Sequence, residues 1–322
     1  MISAMKFATL GVSDLEQNLR LYRDVMGLRQ ERRYAVDPAQ LRAWRLPANT
    51  KAEAVELSCK GYPMGWLRLV QFTPAGTQRV RDDSGPGATD TGTDVGPKAI
   101  DFYVRAPISD SIAKLDRFGL VRRSDPVLHH VDDVVSEELL FSGPDGVPLL
   151  LMVGHVHPKT ALRPGSPDGE FSEIATISIV SADPEASRRF YGTALGMQVQ
   201  QETLTRPEDQ QRVNELTGTP PGTRIHWMIY TGGAEPSGKI LLVHFFEHSG
   251  KRLKDRMRPG NLGFSLLTHV APDLDAVVVN VERRGFEIFS APSNIQIAGV
   301  QRRVALVRGP NEELIELIDK EY

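Results

Sequence analysis

The 322-residue chain is 40% hydrophobic and 25% charged, a balance that supports two globular domains with real cores and argues against disorder. A formal net charge of −3 leaves no broad basic surface for nucleic acid or an anionic membrane. The single cysteine, Cys59, rules out an intramolecular disulfide, no apolar run reaches the roughly 18 residues of a membrane span, and the first residues lack an export signal, so a cytoplasmic location is expected.

Residues 5–28 read as a short apolar strand, then Asp14, then a helix with Leu15, Leu19 and Tyr22 on one stripe, closed by Gly27. Trp66, Arg68 and Gln71 mark a later strand of this first unit, and the Gly-, Asp- and Thr-rich residues 74–97 read as a connector. A strand at 99–104, with Tyr103, leads to Ile108, Ile112 and Leu115 on one helical face, ending at Gly119. His129 and His130 precede the acidic Asp132 and Asp133 and read as a solvated loop or strand edge. Gly143-Pro144-Asp145-Gly146 then turns the chain into the apolar run 149–152. The Pro- and Gly-rich residues 155–169, with His155 and His157, read as the linker between two domains.

Residues 175–197 repeat the first pattern. Asp183 is the N-cap, Pro184 takes the first helical position, Phe190 and Tyr191 follow, and Gly196 stands thirteen residues after Asp183 as Gly27 stands after Asp14. Strands at 224–230 and 241–246 carry Arg224, His226, Trp227, Tyr230 and His244. A strand at 262–270, with Ser265 and His269, leads to Leu274, Val277, Val278 and Val281, and Gly309-Pro310-Asn311-Glu312 turns into the run 314–318. One strand, one helix and three strands cannot cover the concave face of their own sheet, so such units pair. The expectation is an α+β chain of four tandem βαβββ modules, at about 5–73, 97–153, 172–246 and 261–319. They are expected to pair in chain order into domains 1–153 and 170–322, each an incomplete barrel of mixed sheet.

The strings Val12-Ser13-Asp14-Leu15, Leu21-Tyr22, Met26-Gly27-Leu28, Asp183-Pro184-Glu185, Phe190-Tyr191, Leu195-Gly196-Met197 and Ile315-Glu316-Leu317, with the two Gly-Pro turns, resemble the vicinal-oxygen-chelate superfamily. Its members include glyoxalases, bleomycin-resistance proteins and extradiol dioxygenases. The resemblance implies a small aromatic or oxygen-rich metabolite handled in a concavity by ring-cleavage or glyoxalase-like lyase chemistry. Metal-dependent relatives keep ligands near the start of a module's first strand and in its last strand, where facing sheets direct imidazoles and carboxylates onto one divalent ion. Fe(II) or Mn(II) would be expected. Here the first-strand position falls at Phe7, between Ala99 and Asp101, at Thr176 or Ala175, and between Ser265 and Leu267. The last-strand position falls at Arg68, Leu150, Leu241 and Glu316, so the family set of two His and one Glu is incomplete.

The site is therefore expected in the C-terminal pair of modules. Glu316 and His244 would be its catalytic residues, Glu316, His244 and His226 its metal ligands, and His226, Tyr230, Thr176, His269 and Ser265 its substrate contacts. Two other readings stay open. Glu316 is an inherited carboxylate paired with an arginine or a backbone donor, and the chain is a metal-free protein that sequesters a small molecule; or the same carboxylate serves a metal-free isomerase or lyase. A homodimer is left open, and Arg68 and Arg224 are candidates either for an anionic group or for salt bridges. No Gly-rich phosphate loop, Gly-x-Ser-x-Gly or His-Glu-x-x-His string is present, so nucleotide hydrolysis, serine hydrolysis and zinc proteolysis have no support in the sequence.

Overall fold

The structure is a computed structural model that describes the chain except residues 61, 132–133, 157–168, 249, 255 and 322. His157, Asp132 and Asp133 thus lie outside the described residues, as does most of the linker. Module one comprises β1 (Met5–Gly11), α1 (Leu15–Leu19, continuing as a π-helical segment Arg20–Val25), β2 (Arg29–Ala35), α2 (Pro38–Ala43), β3 (Lys51–Ser58) and β4 (Trp66–Thr73). Module two comprises β5 (Gly96–Val104), α3 (Ile108–Phe118), β6 (Val121–Arg122), β7 (Val127–Val131), β8 (Val134–Ser142) and β9 (Pro148–Val156). Module three comprises β10 (Phe171–Val180), α4 (Pro184–Ser187, continuing as the π-helical Arg188–Ala194), β11 (Gln198–Leu204), α5 (Gln210–Thr217), β12 (Ile225–Thr231) and β13 (Lys239–Phe245). Module four comprises β14 (Gly263–Val270), α6 (Leu274–Arg283), β15 (Glu287–Ile297), β16 (Val300–Arg308) and β17 (Leu314–Ile318).

The repeated punctuation acts as the spacing predicts. The Asp14 carboxylate accepts from Gln17 N, and Asp183 accepts from Glu185 N and Ala186 N, each satisfying donors that a helix start leaves open. Gly27 and Gly196 follow with φ of 79° and 74°, a region that side chains avoid.

The modules do not pair in chain order. One sheet runs β15-β16-β17-β14-β1-β4-β3-β2, joining module four to module one, and the other runs β11-β12-β13-β10-β5-β9-β8-β6, joining module three to module two. Both seams are antiparallel pairings of first strands, β1 with β14 and β5 with β10. The reason lies in the closing turns. Asp145 of module two accepts from Ser13 N at 3.0 Å and Asn18 Nδ2 at 3.3 Å, so it ties the closing turn to the start of the module-one helix. In the second half Asn311 accepts from Ala182 N at 3.2 Å and donates to Ser187 Oγ at 3.1 Å, while Tyr191 donates to Glu313 at 2.6 Å. Neighbours in sequence are thus joined through helix and turn, which leaves each first-strand edge to meet a module of the other half.

One continuous core, including Leu10, Leu69, Phe102, Leu149, Ile177, Leu242, Leu267 and Leu317, occupies the helix-covered faces of both sheets. The opposite faces are the two concavities.

Candidate functional site

The concavity of the first sheet is solid. Helix α2 starts at Asp37, whose carboxylate accepts from Ala39 N, and Pro38 takes its first position. It lays Leu41, Ala43 and Trp44 against Val70, Phe72, Leu266, Leu306, Leu314 and Ile318. Glu316 stands on that face between Leu314 and Ile318, fully buried, as alternation along the strand requires. Its carboxylate accepts from Trp44 Nε1 at 3.0 Å, Gln40 Nε2 at 3.4 Å, Thr268 Oγ1 at 2.8 Å and an Arg68 guanidinium nitrogen at 3.0 Å. Arg68 is equally buried, lies 4.5 Å from the Phe7 ring centre and is 3.9 Å from Glu56, to which Tyr34 also donates. The last-strand positions of modules one and four, Arg68 and Glu316, are therefore salt-bridge partners. Among the described residues both side chains are fully covered, so neither offers a surface for a ligand.

The concavity of the second sheet is hollow. Its cavity volume is about 130 Å³, and about 10–15 Å³ on that measure holds one water, so there is room for roughly ten heavy atoms. Leu140, Leu150, Met152, Leu216, Trp227 and Leu241 give it apolar walls, and Lys98, Tyr103, His129, Glu138, Thr176 and Ser178 are its main polar lining. That mixture of apolar wall and few converging polar groups is the usual make-up of a small-molecule site.

On the floor, Thr176 Oγ1 and Ser178 Oγ donate to one oxygen of Asp101 at 2.5 and 2.8 Å. Asp101 lies between Ala99 and Tyr103 on β5 and is fully buried; burial pushes its carboxyl up to about 7 against those two hydrogen bonds. Lys98 donates to the carbonyls of Gly92 and Thr217, both at 2.9 Å, and burial, reinforced by the positive Arg81, pulls its ammonium down to about 7. On one wall His129 Nε2 is 3.2 Å from Glu138. Burial opposes the imidazolium, but the facing carboxylate outweighs it and raises His129, while Glu138 is correspondingly held low. This imidazole–carboxylate pair lies on the cavity surface.

The roof comes from two modules. His130 N and Nδ1 both lie 2.9 Å from Asp209 Oδ2, tying β7 to the start of α5, and Gln201 donates to Val131 O at 3.3 Å. Burial works to raise Asp209, but hydrogen bonds from His130 and Arg212 outweigh it and hold the carboxyl below its ordinary range.

The residues expected to assemble one site are scattered. Glu316 belongs to the first sheet; His244 and His226 face each other across β12 and β13 of the second, so the three cannot share a metal ion. His226 pairs with Glu202 at 2.9 Å, and His244 bonds Ser181 O at 2.9 Å, both on the face opposite Trp227 and Leu241. Tyr230 is buried in the helix-side core, 5.4 Å from the Tyr191 ring. His269, at the end of β14, is bonded to Ser3 O and brought down to about 4 by burial, hence neutral; Ser265 is buried in the same strand. Of the expected contacts only Thr176 lines the cavity, with Tyr103 and Trp227 from the wider set of strand aromatics. Arg224 is an exposed partner of Glu247. His129, read as solvated, is instead 1% exposed. The signal was there: Val127, His129 and Val131 alternate on one face of a strand.

The donor set does not suit a metal. In the hollow concavity the four family positions hold Asp101, Thr176, Leu150 and Leu241, one carboxyl and one hydroxyl against two aliphatic chains, where a divalent ion takes three or more good donors. Among the described residues no group of three His, Cys, Asp or Glu side chains is placed to hold an ion.

The curled mixed sheets and paired βαβββ units define a class. Residues 173–317 match the glyoxalase/bleomycin resistance protein/dioxygenase superfamily. Glyoxalase I from Zea mays superposes with a TM-score of 0.61 at 15% identity, covering 98% of this chain and 92% of that one. A protein of Bacillus subtilis subsp. subtilis str. 168, provisionally assigned as a dioxygenase, gives 0.61 at 14%, covering 98% and 85%. No curated protein matches the sequence. The family match thus lies in the C-terminal half, and the whole chain, with four modules in one polypeptide, shares the fold of these structures. No helix among the described residues is long and apolar enough to cross a membrane.

Proposed function

We propose that this chain binds a small, largely apolar molecule without a metal ion, in the concavity shared by modules two and three. The observation that carries this reading is the replacement of family ligand positions by Leu150 and Leu241 on the wall of an otherwise well-formed cavity. Two leucines there convert a coordination site into an apolar surface, whose burial by a ligand contributes about 25 cal/mol per Å². The ring-cleavage or glyoxalase-like chemistry expected around Glu316 and His244 is less favoured, because Glu316 is salt-bridged to Arg68 and the two residues lie on different sheets.

A second reading, a metal-free isomerase or lyase, is favoured by the His129–Glu138 pair. A buried imidazole–carboxylate couple on a cavity wall can take a proton from a ligand that carries an acidic C–H.

The test is a thermal-shift and calorimetric screen of small aromatic and alicyclic compounds against the native chain and Leu150→Trp, with metal analysis of protein purified without chelator. Binding lost in the filled variant supports the reading. Binding that survives it, or stoichiometric tightly held metal, overturns it.

A further inference from the structure

The polar floor of the cavity has a direction. Thr176 and Ser178 stand two residues apart on β10, each a few per cent exposed, and each hydroxyl has a single hydrogen. Both hydrogens point to the same Asp101 oxygen, Oδ2. Asp101 Oδ1 is buried and has no hydrogen-bond partner among the described residues, so any proton the carboxyl carries belongs on Oδ1 and leaves the two bonds intact. In either protonation state the hydroxyl oxygens therefore turn only lone pairs toward the cavity.

Two donors beside the floor are turned to the protein. Lys98 spends two of its hydrogens on Gly92 O and Thr217 O, and the Trp227 indole donates to Thr205 Oγ1 at 2.8 Å. Glu138, held by His129, adds a further acceptor on the wall.

We propose that the ligand is a ring-sized apolar molecule carrying a hydrogen-bond donor, an N–H or O–H, and that Thr176 and Ser178, oriented by Asp101, read that donor. Deepening the proposed function, this assignment rests on the cavity being a binding site. A ligand without the donor leaves two desolvated hydroxyl oxygens unpaired, and sites built to bond a ligand hydrogen discriminate strongly against analogues that lack it.

The experiment is isothermal titration of the full chain with indole and with 1-methylindole, which differ only in the N–H. Indole is expected to bind about tenfold or more tightly, the order of one unsatisfied buried acceptor. The preference should collapse in the Thr176→Val, Ser178→Ala double variant and in Asp101→Asn, whose amide frees the hydroxyls to rotate, the ratio of the two affinities falling toward one. Equal affinities for the native chain, or a preference that survives both variants, overturns the assignment. If the two compounds bind equally and Leu150→Trp abolishes both, the cavity remains a binding site and only the donor rule falls. If neither binds, both readings fall.

Discussion

Each half of the molecule inserts a short helix at the same point of the module pattern, between its second and third long strands: α2 in module one and α5 in module three. Helix α2 drops Trp44 into the first concavity, where the indole caps Glu316 and the space closes. Helix α5 stays at the rim of the second, contributing Leu216 and Thr217 as roof, and the space remains. The same architecture thus gives one solid and one hollow concavity, and the buried acid in the solid one is a packing element. A carboxylate at a family position therefore says little about chemistry until its surroundings are known.

Four measurements break or sharpen this contrast. The largest effect is expected for Glu316→Ala, which removes the nearer of the two buried carboxylates beside Arg68 and should cost roughly 3–5 kcal/mol in urea unfolding. Ligand affinity at the other concavity should be unchanged. Combining Arg68→Met with Glu316→Leu should restore most of the loss, since a buried pair is about as stable as well-packed apolar residues of similar volume. A ligand-binding defect in Glu316→Ala with unaltered stability would return that residue to the chemistry.

Next in size is the pH dependence set by Asp101. Its native pKa of about 7 lies above the unfolded value near 3.9, so the native state holds the proton more tightly. The stability this provides is fully present below pH 4 and is lost as pH rises through 7. Asp101→Asn should therefore gain roughly 4 kcal/mol relative to the native chain between pH 4 and pH 8. Parallel stability curves would mean that the carboxyl ionises normally.

Leu150→Trp should weaken ligand binding by about 100-fold or more, which is roughly 2.7 kcal/mol, because the indole fills the cavity. The smallest effect belongs to the roof. His130→Ala removes the tie to Asp209 and should speed amide exchange roughly tenfold in residues 127–131 and 207–217, leaving the sheets protected. Unchanged exchange there would show that packing of α5 alone holds the roof.

The modules were legible because their signals are local: an Asp, an amphipathic stretch and a Gly at fixed spacing report one strand-to-helix unit each. Which modules would share a sheet was not legible. Asp145 and Asn311 reach the helix regions of neighbouring modules, contacts between residues 124 or more apart in the chain. For the same reason Glu316 could be assigned to an inward face, and a partner for it, an arginine or a backbone donor, expected, without naming Arg68. The hollow itself depends on where α2 and α5 settle. Asp37-Pro38 and Arg206-Pro207 mark the turns that start them, but nothing nearby in sequence reports the depth to which they sink. His129 was misread because two histidines ahead of two acids look solvated, whereas strand alternation sends the first one inward.

The two antiparallel seams have a mechanical consequence. Each seam stitches one half of the polypeptide to the other, so the halves clasp each other twice and neither possesses a finished concavity alone. Cleaving the backbone between them should release no free fragment under native conditions, and loosening either clasp should be felt at the other through the core they share.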